Sequence, residues 1–147
     1  MNNLYEEMNN FLADQLVLGM KIHNVHWYIK GHNFFTIHVK MDEFYGATQT
    51  RIDEVAERLL SIGGAPIGSL KEALERTSIK ELADKAINDE ALVEVLYTDF
   101  AQARTHAIRL IELADKAKDY GTADYFTGVL REYEKDLWML GAFLRKA

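Results

Sequence analysis

Four side chains on one stretch of the chain carry the strongest chemical signal: His38, Asp42, Asp53 and Glu57. His38 precedes Asp42 by four residues and Asp53 precedes Glu57 by four, so on a helix each pair shares a face and can converge on one metal ion. Each pair alone offers too few ligands. The chain has no cysteine, which removes thiolate metal sites, disulfides and cysteine nucleophiles and leaves imidazole and carboxylate as the strong ligands. At about 1.5 Å per residue, the fifteen residues from His38 to Asp53 cover about 22 Å. Within one chain the two pairs therefore cannot serve the same ion.

The spacing itself supplies a way to join them. Position 38 mirrors 57, and 42 mirrors 53, about the point between Ala47 and Thr48. Two copies of this helix packed antiparallel around a two-fold axis there would set His38 and Asp42 of one chain against Glu57 and Asp53 of the other, making two equivalent sites. Gly46, Ala47 and Thr48 are small enough to let two helices approach at that axis, and Phe35, Val39, Ala56 and Leu60 give the same face apolar cover. Upstream, His23-Asn24-Val25-His26-Trp27 brings two further imidazoles and an indole, and either histidine can complete a site. Taken singly, a carboxylate on a helix face is usually just solvated and a histidine more often hydrogen-bonded than metal-bound. His32 and His106 are read in that ordinary way.

Long helices must position these groups. Leu4, Met8, Phe11, Leu12, Leu16, Ile22, Val25 and Ile29 recur at steps of three and four, predicting a first helix from Asn3 to Lys30 that stops at Gly31. Met41, Phe44, Tyr45, Thr48, Ile52, Val55 and Leu59 mark the core stripe of a second, running to Ser61 and ended by Gly63-Gly64-Ala65-Pro66. The connection from Ile62 to Asn88 holds a short helix opened by Ser69 and Glu72, a capping box whose pattern Ser78 and Glu81 repeat. A third long helix follows the stripe from Leu92 to Ala114, and Asp119-Tyr120-Gly121 turns it into a fourth carried by Phe126 to Leu144. No strand alternation competes. The expectation is an all-α, ferritin-like four-helix bundle, one domain over 1–147, with its single long crossover between the second and third long helices.

Composition sets the outer limits. A chain of 147 residues that is 48% hydrophobic and 27% charged, with one proline, is a folded domain and not a disordered or collagen-like one. Its net charge of −6 repels a polyanion, so DNA affinity would need a local basic patch. Residues 1–10 hold no Lys or Arg and no eighteen apolar residues run together, so neither a signal peptide nor a membrane span is expected and the cytoplasm is the default.

The run His23 to Trp27, then Phe35, His38 and Asp42, the block Arg51 to Arg58, and Gly63-Gly64 together resemble the signature of the Dps miniferritins, the DNA-protecting branch of the ferritin-like superfamily. Chain length, the mid-chain short helix and the region of Trp138 extend the resemblance over nearly the whole chain. It implies a hollow homododecamer whose two-fold dimers each hold two ferroxidase centres, with His26, His38 and Asp42 from one chain and Asp53 and Glu57 from its neighbour. It implies Fe(II) and hydrogen peroxide as substrates and Fe(III) mineral stored in the cage; by ligand type alone, the same residues also suit Zn²⁺ as a surrogate.

The resemblance also sets an aromatic, Trp27, near the centre, where packing is at least as good a role, and the turn Asp119 to Asp124 along an acidic pore; His23 is read as either a neighbour of the centre or a solvated side chain. Asp124 is also expected in the first turn of the fourth long helix, where the dipole favours an acid without any pore. Members that bind DNA tightly often use a Lys- and Arg-rich tail, whereas here the first basic residue is Lys21. DNA binding is accordingly expected to be weak or absent. The competing readings are a ferritin with its site inside each bundle, which wants Glu-x-x-His and finds none here, and a non-catalytic DNA-associating or zinc-binding helical assembly.

Overall fold

In the computed structural model, which describes residues 2–146, five helices follow one another: α1 (Asn2–Tyr28), α2 (Phe34–Ser61), α3 (Leu70–Arg76), α4 (Asp89–Lys116) and α5 (Tyr120–Phe143). Residues 1 and 147, the ends of the expected domain, lie outside the described ones. The four long helices and the short one in the crossover are the expected elements, with the first ending two residues earlier than its apolar spacing suggests. There the chain turns extended: Lys30 N–H donates to the Ile87 carbonyl at 3.0 Å and Ile87 N–H to that of Tyr28 at 3.2 Å. This one parallel bridge ties the end of the crossover back to α1.

α1 packs closely on α2, α3 and α4, and α4 on α5. The core they enclose is aromatic at its centre: Phe11 meets Phe126 edge-on at 5.2 Å, and Phe100 meets Phe44 at 5.0 Å and Tyr133 at 5.3 Å. Three polar interactions interrupt it. Lys21 and Asp99 pair at 2.7 Å, Tyr133 OH accepts from Gln15 at 2.8 Å and from Arg51 at 3.2 Å, and the Arg51 guanidinium lies over the Tyr133 ring at 4.3 Å. Arg51 was not among the core positions expected of α2, although it stands on the stripe between Thr48 and Val55.

Caps explain most of the boundaries. Ser69 accepts from Glu72 N–H at 3.3 Å and opens α3 as its capping box predicts. The same pattern at Ser78 and Glu81 opens no helix, because Ser78 is drawn away: its N–H and hydroxyl both bond Asp14 of α1, at 2.8 Å and 3.0 Å. α2 ends with Gly63 at φ +89°, Gly64 N–H on the Leu59 carbonyl at 2.7 Å and Gly63 N–H on Leu60 at 3.1 Å, a Schellman stop. α4 ends the same way with Lys118 at φ 58°. The turn expected at Asp119-Tyr120-Gly121 is therefore made one step earlier, and Tyr120 and Gly121 are already helical in α5.

Candidate metal centre

His26 stands in the last turn of α1 and His38 in the second turn of α2, across the short link between them. Their rings stack face to face, 3.7 Å apart and 9° from parallel. The Nδ1 atom of His26 lies 2.6 Å from the backbone oxygen of His38, and Nδ1 of His38 lies 2.8 Å from the backbone oxygen of His26. A carbonyl carries no proton, so in both rings Nδ1–H is the donor. That fixes the tautomer and leaves each neutral ring with an unprotonated Nε2, the atom a metal ion takes. The two imidazoles are thus held as a pair, each with its Nε2 free of these hydrogen bonds.

Around them runs an aromatic column. His38 lies against Phe34 at 5.0 Å, and His23, half-buried, stacks on Tyr45 at 3.4 Å while its ring sits 5.7 Å from His26 and 5.1 Å from Trp27. Burial, and then the neighbouring His26, hold the His23 imidazole below its ordinary pKa, opposed by the negative charge of Asp42. Near neutrality His23 is thus uncharged. Tyr45, expected only as core, is the flat surface on which His23 rests. Trp27 is 60% exposed, so most of the indole is uncovered in one chain.

Asp42, Asp53 and Glu57 are exposed on α2, and His38 is only half-buried because it leans on His26. Among the described residues no three His, Asp or Glu side chains of one chain gather around a common point. The five residues expected as ligands fall in two groups, His26 with His38 and Asp42 near one end of α2, Asp53 with Glu57 about four turns on. Beside the two groups the same face carries uncovered apolar side chains: Phe35 is 82% and Val39 58% exposed next to His38, and Leu60 62% beyond Glu57. At its middle, Gly46 is exposed, with no atom within 4 Å of where a Cβ would stand.

The two acids assigned to a pore separate. Asp119 caps α5, accepting from Thr122 N–H at 3.1 Å, and pairs with Arg58 at 2.7 Å. Burial works against its ionised form, but the Thr122 and Arg58 hydrogen bonds prevail and hold the carboxyl below its usual value. Asp124 is exposed and borders a groove between α2 and α5 together with Arg131. It lies beyond the first turn of α5, which contains no acid, so the helix dipole does not account for it. His32 is exposed. His106 bridges carboxylates, with Nε2 3.0 Å from Glu7 and Nδ1 3.6 Å from Asp14, in keeping with the ordinary reading given to both.

Residues 5–147 match the family model described as a ferritin-like domain. The chain is 43% identical over 141 residues to DNA protection during starvation protein 2 of Bacillus anthracis, with 96% of each chain covered. Its fold matches the crystal structure of Dps from Staphylococcus aureus with a TM-score of 0.94 at 39% identity, covering 98% of this chain and 96% of that one. It matches the structure of Dps from Listeria innocua soaked with cobalt with a TM-score of 0.95 at 42% identity, over 98% and 93% of the two chains.

Proposed function

This chain belongs to the ferritin-like family, in its Dps branch, and from that premise we propose that it is a ferroxidase that oxidises Fe(II) with hydrogen peroxide at centres shared between two chains. The Fe(III) is kept as mineral inside a cage of such chains, a homododecamer as the family resemblance implies. The product is protection of the cell and its DNA from the radicals that iron and peroxide otherwise make. The observation that carries this reading is the pair of mutually hydrogen-bonded imidazoles, His26 and His38, each with Nε2 left for a metal.

The chemistry follows from the donor set. Imidazole favours a transition metal over Mg²⁺ or Ca²⁺, and the carboxylates of Asp42, Asp53 and Glu57 offset the ion's charge and stabilise the higher oxidation state. Iron is the substrate, bound by His26, His38 and Asp42 of one chain and by Asp53 and Glu57 of another. Two neighbouring Fe(II) ions supply one electron each; peroxide takes both, its O–O bond breaks, and the two oxygens leave as water or hydroxide. Delivering both electrons together avoids hydroxyl radical, the product of one-electron reduction. Asp124 is the exposed acid that suits a cation path into the cage, whereas the Asp119 carboxylate is occupied by Arg58 and Thr122. A net charge of −6 disfavours coating DNA directly, so protection works through removal of iron and peroxide.

Anaerobic addition of Fe(II) followed by peroxide tests this. Fe(III) should form faster than in buffer, at about two irons per peroxide, and His38→Ala or Asp53→Ala should slow it while native mass spectrometry shows the assembly intact. A rate equal to buffer, with Zn²⁺ still bound, would replace the ferroxidase by a zinc-binding assembly.

A further inference from the structure

α2 carries four of the five proposed ligands, yet what fixes its rotation is not obvious from its apolar stripe. It packs closely on α1, while between α2 and α5 runs an open groove of about 410 Å³ bordered by Ala47, Thr50, Glu54, Asp124, Gly128 and Arg131. Two arginines of α2 reach across to α5 or its cap. Arg51 reaches Glu132 at 2.9 Å and Tyr133 at 3.2 Å. Seven residues later, on the same side of the helix, Arg58 reaches the start of α5.

The seat of Arg58 is built to hold a guanidinium. Nε donates to Thr122 Oγ1 at 2.9 Å and Nη2 to Asp119 Oδ1 at 2.7 Å, while the Thr122 hydroxyl, itself buried, donates to Asp119 Oδ2 at 2.6 Å. The ring of hydrogen bonds is closed on the planar fork of one side chain, a geometry an ammonium cannot reproduce. Gly121 leaves the space. A Cβ there would stand 2.6 Å from Nη2 and 3.0 Å from Cζ of Arg58.

We propose that Arg58, seated over Gly121 and tied to Asp119 and Thr122, is a positioning residue that fixes the rotation of α2 and so presents Asp53 and Glu57 to the second chain. The inference rests on the function proposed above. Arg58 follows Glu57 directly, so the anchor and the ligand share one turn. At a side-chain radius of about 5–6 Å, a rotation of about 20° moves a carboxylate by about 2 Å. Ligands need to be held within about 0.5 Å. A helix seated only by an apolar seam tolerates the first figure; one pinned on its far side by two hydrogen bonds from a single guanidinium does not.

The test uses the full-length assembly, its mass checked by native mass spectrometry, with Co(II) as probe and no oxidant present. Affinity is read by calorimetry and ligand geometry from the visible Co(II) spectrum. Arg58→Gln, and Asp119→Asn, which keeps a capping oxygen for Thr122, should each weaken Co(II) binding about tenfold and alter the spectrum without changing the mass. Gly121→Ala leaves every charge in place and improves helix propensity, yet should give the same loss by unseating the guanidinium; it decides the matter if Arg58→Gln fails to assemble. Wild-type affinity and spectrum in the assembled variants would overturn the positioning role. Asp53→Ala and Glu57→Gln separate the two levels of the argument. If they abolish Co(II) binding while Gly121→Ala does nothing, only the positioning role falls; if they too leave binding unchanged, the shared site falls with it.

Discussion

Lys21 and Asp99 lie almost entirely out of water, and at 2.7 Å each is the other's compensation. Burial still pushes the Asp99 carboxyl above its ordinary value in spite of Lys21, with the charge of Asp14 adding to the effect. Removing one partner strands a buried charge, so Asp99→Ala should cost about 3 kcal/mol or more in chemical denaturation. The double variant Lys21→Met, Asp99→Leu should recover most of that loss, because the two desolvation costs go together. Equal destabilisation by the single and double variants would show that the pair is held by packing alone. The same accounting explains the imidazole pair: His26 and His38 are partly desolvated, and each finds its hydrogen-bond partner in the other's backbone. His38 and Asp42 were legible from residue type and spacing, which left His23 and His26 open as the further imidazole; only the family resemblance chose His26. The stacking of His23 on Tyr45 was not legible, since it depends on how two helices are turned toward each other.

Helix ends show where local sequence decides and where it is overruled. α2 and α4 close with the same hydrogen-bond pattern, but the left-handed residue is Gly63 in one and Lys118 in the other. A Cβ in that conformation costs about 1 kcal/mol. Lys118→Gly should therefore raise unfolding stability by about 0.5–1 kcal/mol, measured in denaturant, with no change in helix content; a loss would mean that the lysine side chain has a role of its own. Ser78 and Glu81 illustrate the reverse. Their capping pattern is intact in sequence, but Asp14 offers Ser78 a more buried set of hydrogen bonds, and the segment stays extended.

For the whole molecule the outer face of α2 is the decisive surface. Phe35, Val39 and Leu60 are uncovered in a single chain, and the two proposed ligand groups lie about 22 Å apart along one rod. Gly46 tests whether a second rod lies there. Nothing stands near its missing Cβ, so Gly46→Phe should leave the chain folded, with unchanged helix content, while blocking close approach at the proposed axis. Native mass spectrometry should then show single chains or altered assemblies, and iron oxidation should fall to the level of Asp53→Ala. An unchanged assembly with full activity would remove the two-fold pairing.

Sequence alone determined the helices, the crossover between α2 and α4, and the mirrored spacing of His38, Asp42, Asp53 and Glu57, because periodicity, caps and residue intervals are all written along one strand of covalent neighbours. Tertiary structure decided which nitrogen of each histidine is left for a metal, that Asp119 caps α5 and pairs with Arg58, and that two arginines bridge α2 to α5. Those depend on groups far apart in the chain, such as Arg58 and Asp119 or Arg51 and Tyr133, whose meeting is set by the rotation and depth at which helices pack. No spacing within a single helix encodes that.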